Sequence, residues 1–163
     1  MRPIHPNPMN FFSTILIIHN GLRWIILLVL AIAVMRAWRG WIAKRDWASR
    51  EDQLIVAFAW FFTAQFALGA TLYGLPNGLA AAARIAASHS LSAALSVREL
   101  RFFGLEHPLQ MIIALGVAHL GKARVRRAAH APTKWRWAIG TYAVVALLIV
   151  SAIPWWRPLL RLP

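Results

Sequence analysis

The sequence predicts an all-α fold: a transmembrane four-helix bundle with an amphipathic segment lying on the outer surface in its second loop. Three observations carry this. The 163 residues are 60% hydrophobic and only 14% charged, with a mean hydropathy of +0.56, too apolar for an ordinary water-soluble domain of this length. The basic residues fall in short clusters between apolar runs, as in multi-spanning membrane proteins. No run alternates with the period of two that a half-buried strand requires. The net charge of +13 therefore does not mark a nucleic-acid binder, because little polar surface is left to present. Without cysteine, disulfides, thiolate metal sites, iron–sulfur clusters and thiol nucleophiles are excluded.

A bilayer core takes about 20 apolar residues per helix. On that measure the chain is one domain, 1–163, with spans at about 12–35, 54–75, 105–120 and 137–153. The N-terminal "MRPIHPNPMN" has three prolines, and no small-residue cleavage site follows the first apolar run, so that run reads as a retained span and not a signal peptide. It ends in "RAWRGW". The second span follows "SRED", whose acids suit the positive end of a helix dipole, and is broken by "GLPNG". The second loop, 76–104, is rich in Ala and Ser with Leu, Ile and Phe at rough helical spacing. It reads as a weakly amphipathic helix, or two short ones, on the outer surface. The third span is the shortest and ends at "GKARVRR". Pro108 falls in its first turn, where the missing N–H costs nothing. The fourth runs into "IPWWRP".

Orientation follows from Lys and Arg in the loops. Arg36, Arg39, Lys44, Arg45 and Arg50 flank the first loop; Lys122, Arg124, Arg126, Arg127, Lys134 and Arg136 flank the third. Those eleven face six on the other side: Arg2, Arg84, Arg98, Arg101, Arg157 and Arg161. The first and third loops are therefore cytoplasmic and both termini face out. Trp38, Trp41, Trp47, Trp135 and Trp137 would belt the inner interface, and Trp155 and Trp156 the outer one.

Ionisable groups inside a span are costly and need a partner or a purpose. Here they are His19, Arg23, Glu106, His107 and His119, with uncharged Asn20 and Gln65. At 1.5 Å per residue, His19 and His107 lie at one depth in the outer leaflet on different helices. That is what a bis-histidine haem b requires: one imidazole above the ring, one below, in a dry slot of the bundle. Arg23 could meet a haem propionate, with Gly21 letting the ring approach the backbone. The same residues also fit a purely structural reading, with histidines hydrogen-bonding between helices and Arg23 clamped to Glu106. His119 is roughly 18 Å deeper than His107, and fits an interfacial or quinone-contacting role better than a second haem. His5, His89 and His130 lie in termini or loops. No HExxH motif or close carboxylate pair supports hydrolytic or zinc chemistry.

Three blocks, "HNGLRW" at 19–24, "LRFFGLEHPLQMIIALGVAHLGKARVRR" at 100–127 and "IPWW" at 153–156, resemble a family of small bacterial four-helix inner-membrane proteins labelled cytochrome b-like. That pattern reads H-x-G-L-R-W, then R-F-F-x-x-E-H-P, then G-I-P-W-P. This chain departs at the last, with Ala152 for Gly and Trp156 for Pro. The resemblance puts His19, Arg23, Glu106 and His107 on the family's own residues. It implies a haem b-binding electron-transfer subunit of a respiratory or photosynthetic complex in the bacterial inner membrane, with His19 and His107 as axial ligands and Arg23 and Glu106 beside them. Electrons would be exchanged with quinol or with other membrane subunits. The rival expectation is a cofactor-free accessory subunit packed on a larger membrane assembly; a chlorophyll-type pigment held by one of these histidines is a third.

Overall fold

The computed structural model describes residues 11–157. Every regular element in that range is helical: α1 Phe11–Ile42, α2 Ser49–Gly74, α3 Gly78–His89, α4 Leu91–Ser96, α5 Arg98–Arg101, a π turn Phe102–Glu106, α6 His107–Arg127 and α7 Ala131–Ser151. Arg2, His5 and Arg161 lie outside the described residues. The four long helices pack as a ring, α1 against α2 and α7, and α6 against α2 and α7.

Two of them, α1 and α2, are long and apolar enough to cross a membrane, with mean hydropathy 2.2 and 1.7 over their best windows. Their 32 and 26 residues exceed the expected spans, because the helix continues through the flanking Arg and Trp clusters. The 21 residues of α6 include Gln110, His119 and Lys122, and α7 carries Lys134 and Arg136 in its first turns, so their apolar stretches are shorter.

Small buried residues allow close packing. Ala33, Ala37 and Gly40 of α1, and Ala114, Ala118 and Gly121 of α6, lie on inward faces. A methyl group at Gly121 would collide with Thr141 of α7, and one at Gly40 would meet the Trp135 indole at 2.5 Å. Phe58, Phe62 and Tyr142 fill the middle, with Phe58 and Tyr142 ring centres 5.6 Å apart, edge to face. The outer faces stay apolar: Leu28 is 63% exposed, Phe61 56%, Leu120 67% and Leu147 70%, one on each long helix.

The first and third loops meet at one end. Trp135 Nε1 donates to the Arg45 carbonyl at 2.7 Å, and its ring packs edge-on against Trp47 at 4.6 Å. There Glu51, in the first turn of α2, is 5% exposed and ion-paired to Arg36 Nη2 at 2.5 Å and Arg50 Nε at 3.5 Å.

The other end is capped by the second loop, which forms three short helices and not one or two. Arg84 of α3 donates to the carbonyls of Tyr73 and Leu75, filling acceptors left by the end of α2. The last piece is no loop. From Arg98 to Arg127 the chain is continuously helical, and the π turn joins α5 to α6. Pro108 is therefore interior to a helical run, and its missing N–H does leave a carbonyl without its usual donor.

Candidate functional site

At the capped end a cavity of about 650 Å³ opens between the four long helices, within the range of cofactor pockets (about 300–1,000 Å³). Its walls are mostly apolar, with His19, Asn20 and Arg23 from α1, Gln65 and Tyr73 from α2, His107 from α6 and Arg157 at the rim. Neither Asp nor Glu is among the described residues that line it.

His19 and His107, on different helices, are brought together here. Their ring centres are 6.5 Å apart and the rings are inclined at 74°. With metal–nitrogen bonds of about 2.0–2.1 Å and a ring nitrogen about 1 Å from the ring centre, two imidazoles on opposite sides of one metal have centres about 6 Å apart. The spacing fits a bis-imidazole site.

Each ring is held by its surroundings. His107 Nδ1 donates to the Ala152 carbonyl at 3.0 Å. A carbonyl only accepts, so Nδ1 carries the proton and the neutral ring keeps its lone pair on Nε2, the form that binds a metal. That carbonyl is available because α7 stops at Ser151, three residues before Pro154. His19 lies against α2 where there is no side chain: a methyl group at Gly69 would come within 3.1 Å of its Cε1. Gln65 Nε2 donates to the His19 carbonyl at 2.9 Å and fixes the backbone at that point. His19 Nδ1 is buried and makes no hydrogen bond.

No family model, curated protein or solved structure matches this chain.

Two expected positions, Gly21 and Glu106, need correction. The glycine beside the histidine is Gly69, not Gly21, which is exposed and meets nothing within 4 Å. Helix α1 turns Gly21 outward when it turns His19 in. Glu106 does not line the cavity and does not clamp Arg23. Its carboxylate, 43% exposed, accepts at 2.7 Å from Nε of Arg101, five residues back along the same helical run. Arg101 is the nearer cation, and the wider π turn brings the two together. Arg23 does line the cavity, with its guanidinium 5.1 Å from the Trp24 ring centre.

His119 sits apart from the cavity. Lys122 Nζ donates to its Nδ1 at 3.2 Å, so its proton is on Nε2, which donates to Thr63 Oγ1 at 2.9 Å; Thr63 in turn donates to the Ala59 carbonyl at 2.8 Å. Both ring nitrogens are engaged between α6 and α2, with the opposite tautomer to His107.

Proposed function

We propose that this chain is a haem b-binding electron-transfer subunit of a bacterial inner-membrane complex, crossing the membrane four times with both termini outside. The observation that carries the haem reading is the His19–His107 pair: two imidazoles from α1 and α6, 6.5 Å apart, on one cavity of about 650 Å³. The cytochrome b-like resemblance supports it independently, because its three blocks, separated along the chain, supply His19, His107 and Pro154 to the same walls. Four membrane crossings are supported by two helices of sufficient length and hydropathy, by the apolar outer faces of all four, and by the gathering of the basic loops at one end.

Bound haem would supply one-electron exchange at its iron. The chain's own part is to hold and screen it. His107 is oriented by Ala152 and His19 by Gly69 and Gln65. Arg23 and Arg157 give the cavity positive charge with no carboxylate among the described residues that line it, which suits a ligand that is apolar in its body and anionic at its edge.

The test is an oxidised-minus-reduced absorption spectrum of protein purified in detergent with haem supplied, together with three variants. Wild type gives the α-band of haem b. His19→Ala and His107→Ala abolish it and His119→Ala retains it. A colourless wild type would decide for a cofactor-free accessory subunit.

A further inference from the structure

We infer that Tyr73 is a positioning residue for His107, acting through the Gly104 carbonyl; the inference rests on the haem reading for its functional meaning. In an α-helix the Gly104 carbonyl would accept from the N–H of residue 108. That residue is Pro108, which has none. The Tyr73 hydroxyl, arriving from α2, donates to this carbonyl at 3.1 Å.

The same carbonyl lies inside the π turn that delivers His107. The His107 N–H closes that turn by bonding to Phe102 O, one residue further back than in an α-helix. A turn of this kind winds in an extra residue, so everything after it is rotated relative to what precedes it. The direction of the His107 side chain thus depends on the turn being kept.

Two further features hold this arrangement in place. Arg84 lies over its ring at 5.2 Å from the centre and donates to its carbonyl, which fixes the end of α2 from which the hydroxyl reaches. Gly104 has no side chain where α3 crosses: a methyl group there would stand 2.6 Å from Ala83 Cβ. The turn is therefore pinned by α3 on one side and by a hydroxyl on the other. Tyr73 also lines the cavity, yet its oxygen is spent on the backbone of the helix that carries His107.

Tyr73→Phe keeps the ring and removes only that hydroxyl. In full-length protein loaded with haem, transfer of haem to an excess of apoglobin should become about fivefold faster, the size of one ordinary hydrogen bond. The ring-nitrogen resonances of His107 in 15N-histidine-labelled, haem-free protein should shift, while those of His119 stay. Adding Pro108→Ala restores a main-chain donor to Gly104 and should return both readouts towards wild type. A role of Tyr73 in packing alone predicts no such rescue. Unmoved His107 resonances in Tyr73→Phe, or no recovery in the double variant, would overturn the inference. If wild type binds no haem, the proposed function fails, and the nitrogen resonances alone still decide whether Tyr73 positions His107.

Discussion

Replacing Gly69 by alanine adds one methyl group where His19 rests on α2. The new carbon would stand 3.1 Å from Cε1 and 3.7 Å from Nδ1. Carbon contacts are comfortable from about 3.5 Å, so the imidazole must give by about 0.5 Å. The backbone cannot follow, because Gln65 holds the His19 carbonyl at 2.9 Å. The ring must turn instead. Alanine in place of glycine inside a helix gains about 0.8–1 kcal/mol, while forcing a carbon into a filled site costs about 1–3 kcal/mol. The overlap is slight, so the lower figure applies and stability should change by less than about 1 kcal/mol. Haem binding is less tolerant. A ligand displaced by about 0.5 Å is at the limit of what a preorganised site accepts, and affinity should fall about tenfold, or ~1.4 kcal/mol. Titration of the haem-free variant with haem, followed by absorbance beside a denaturant unfolding curve, reads both quantities. Gly116→Ala is the control, since a methyl group at that α6 position meets nothing within 4 Å; it should stabilise the protein and leave haem affinity alone. Gly69→Ala binding haem as tightly as wild type would refute the reasoning, as would an equal loss in Gly116→Ala.

Arg36→Met leaves Glu51 buried with only Arg50 at 3.5 Å, and should cost about 2 kcal/mol by denaturant midpoint. That is below the ~3–5 kcal/mol of fully buried pairs because Arg36 is partly exposed. A second change, Glu51→Gln, should recover most of the loss; no recovery would mean that Arg36 matters for packing alone. Glu106→Gln should leave haem content unchanged, since its carboxylate is engaged by Arg101 outside the cavity. A drop comparable to that of His107→Ala would instead return Glu106 to the site. The chain has no native cysteine, so Ser49→Cys and Ala128→Cys can be labelled without background. In intact cells an impermeant maleimide should miss both, and labelling of either would reverse the topology.

The all-helical character was legible in the sequence because long apolar runs separated by basic clusters mark out the long helices. The candidate pair was legible for a related reason: few ionisable groups stand inside the apolar runs, and counting helical rise puts His19 and His107 at one level. What holds those rings was not. Gly69 belongs to another helix and has no side chain to announce it. The Ala152 carbonyl is a main-chain group; the only hint was Pro154, which marks where α7 must end. The π turn is hidden because "RFFGLEHP" has ordinary helical composition, and Pro108 reads as a helix start because the amphipathic segment before it reads as a separate surface helix. Charge pairing misled in the same way. Glu106 and Arg23 share a depth, yet Arg101 is nearer along the chain and takes the carboxylate.

The two imidazoles belong to opposite halves of the ring, His19 to the α1–α2 pair and His107 to the α6–α7 pair. In the order of synthesis they are separated by 88 residues, the difference between positions 107 and 19. At about 5–20 residues per second, His19 waits roughly 4–18 s for its counterpart to be made, and longer for α7 to bring the Ala152 carbonyl. A ligand that needs both rings can be captured only after the last helix has docked. Once captured, it ties the first half of the chain to the second, and its binding free energy adds directly to the cohesion of the whole. If haem binds there as proposed, pigmentation is a maturation marker: nascent and misassembled chains stay colourless until the ring closes.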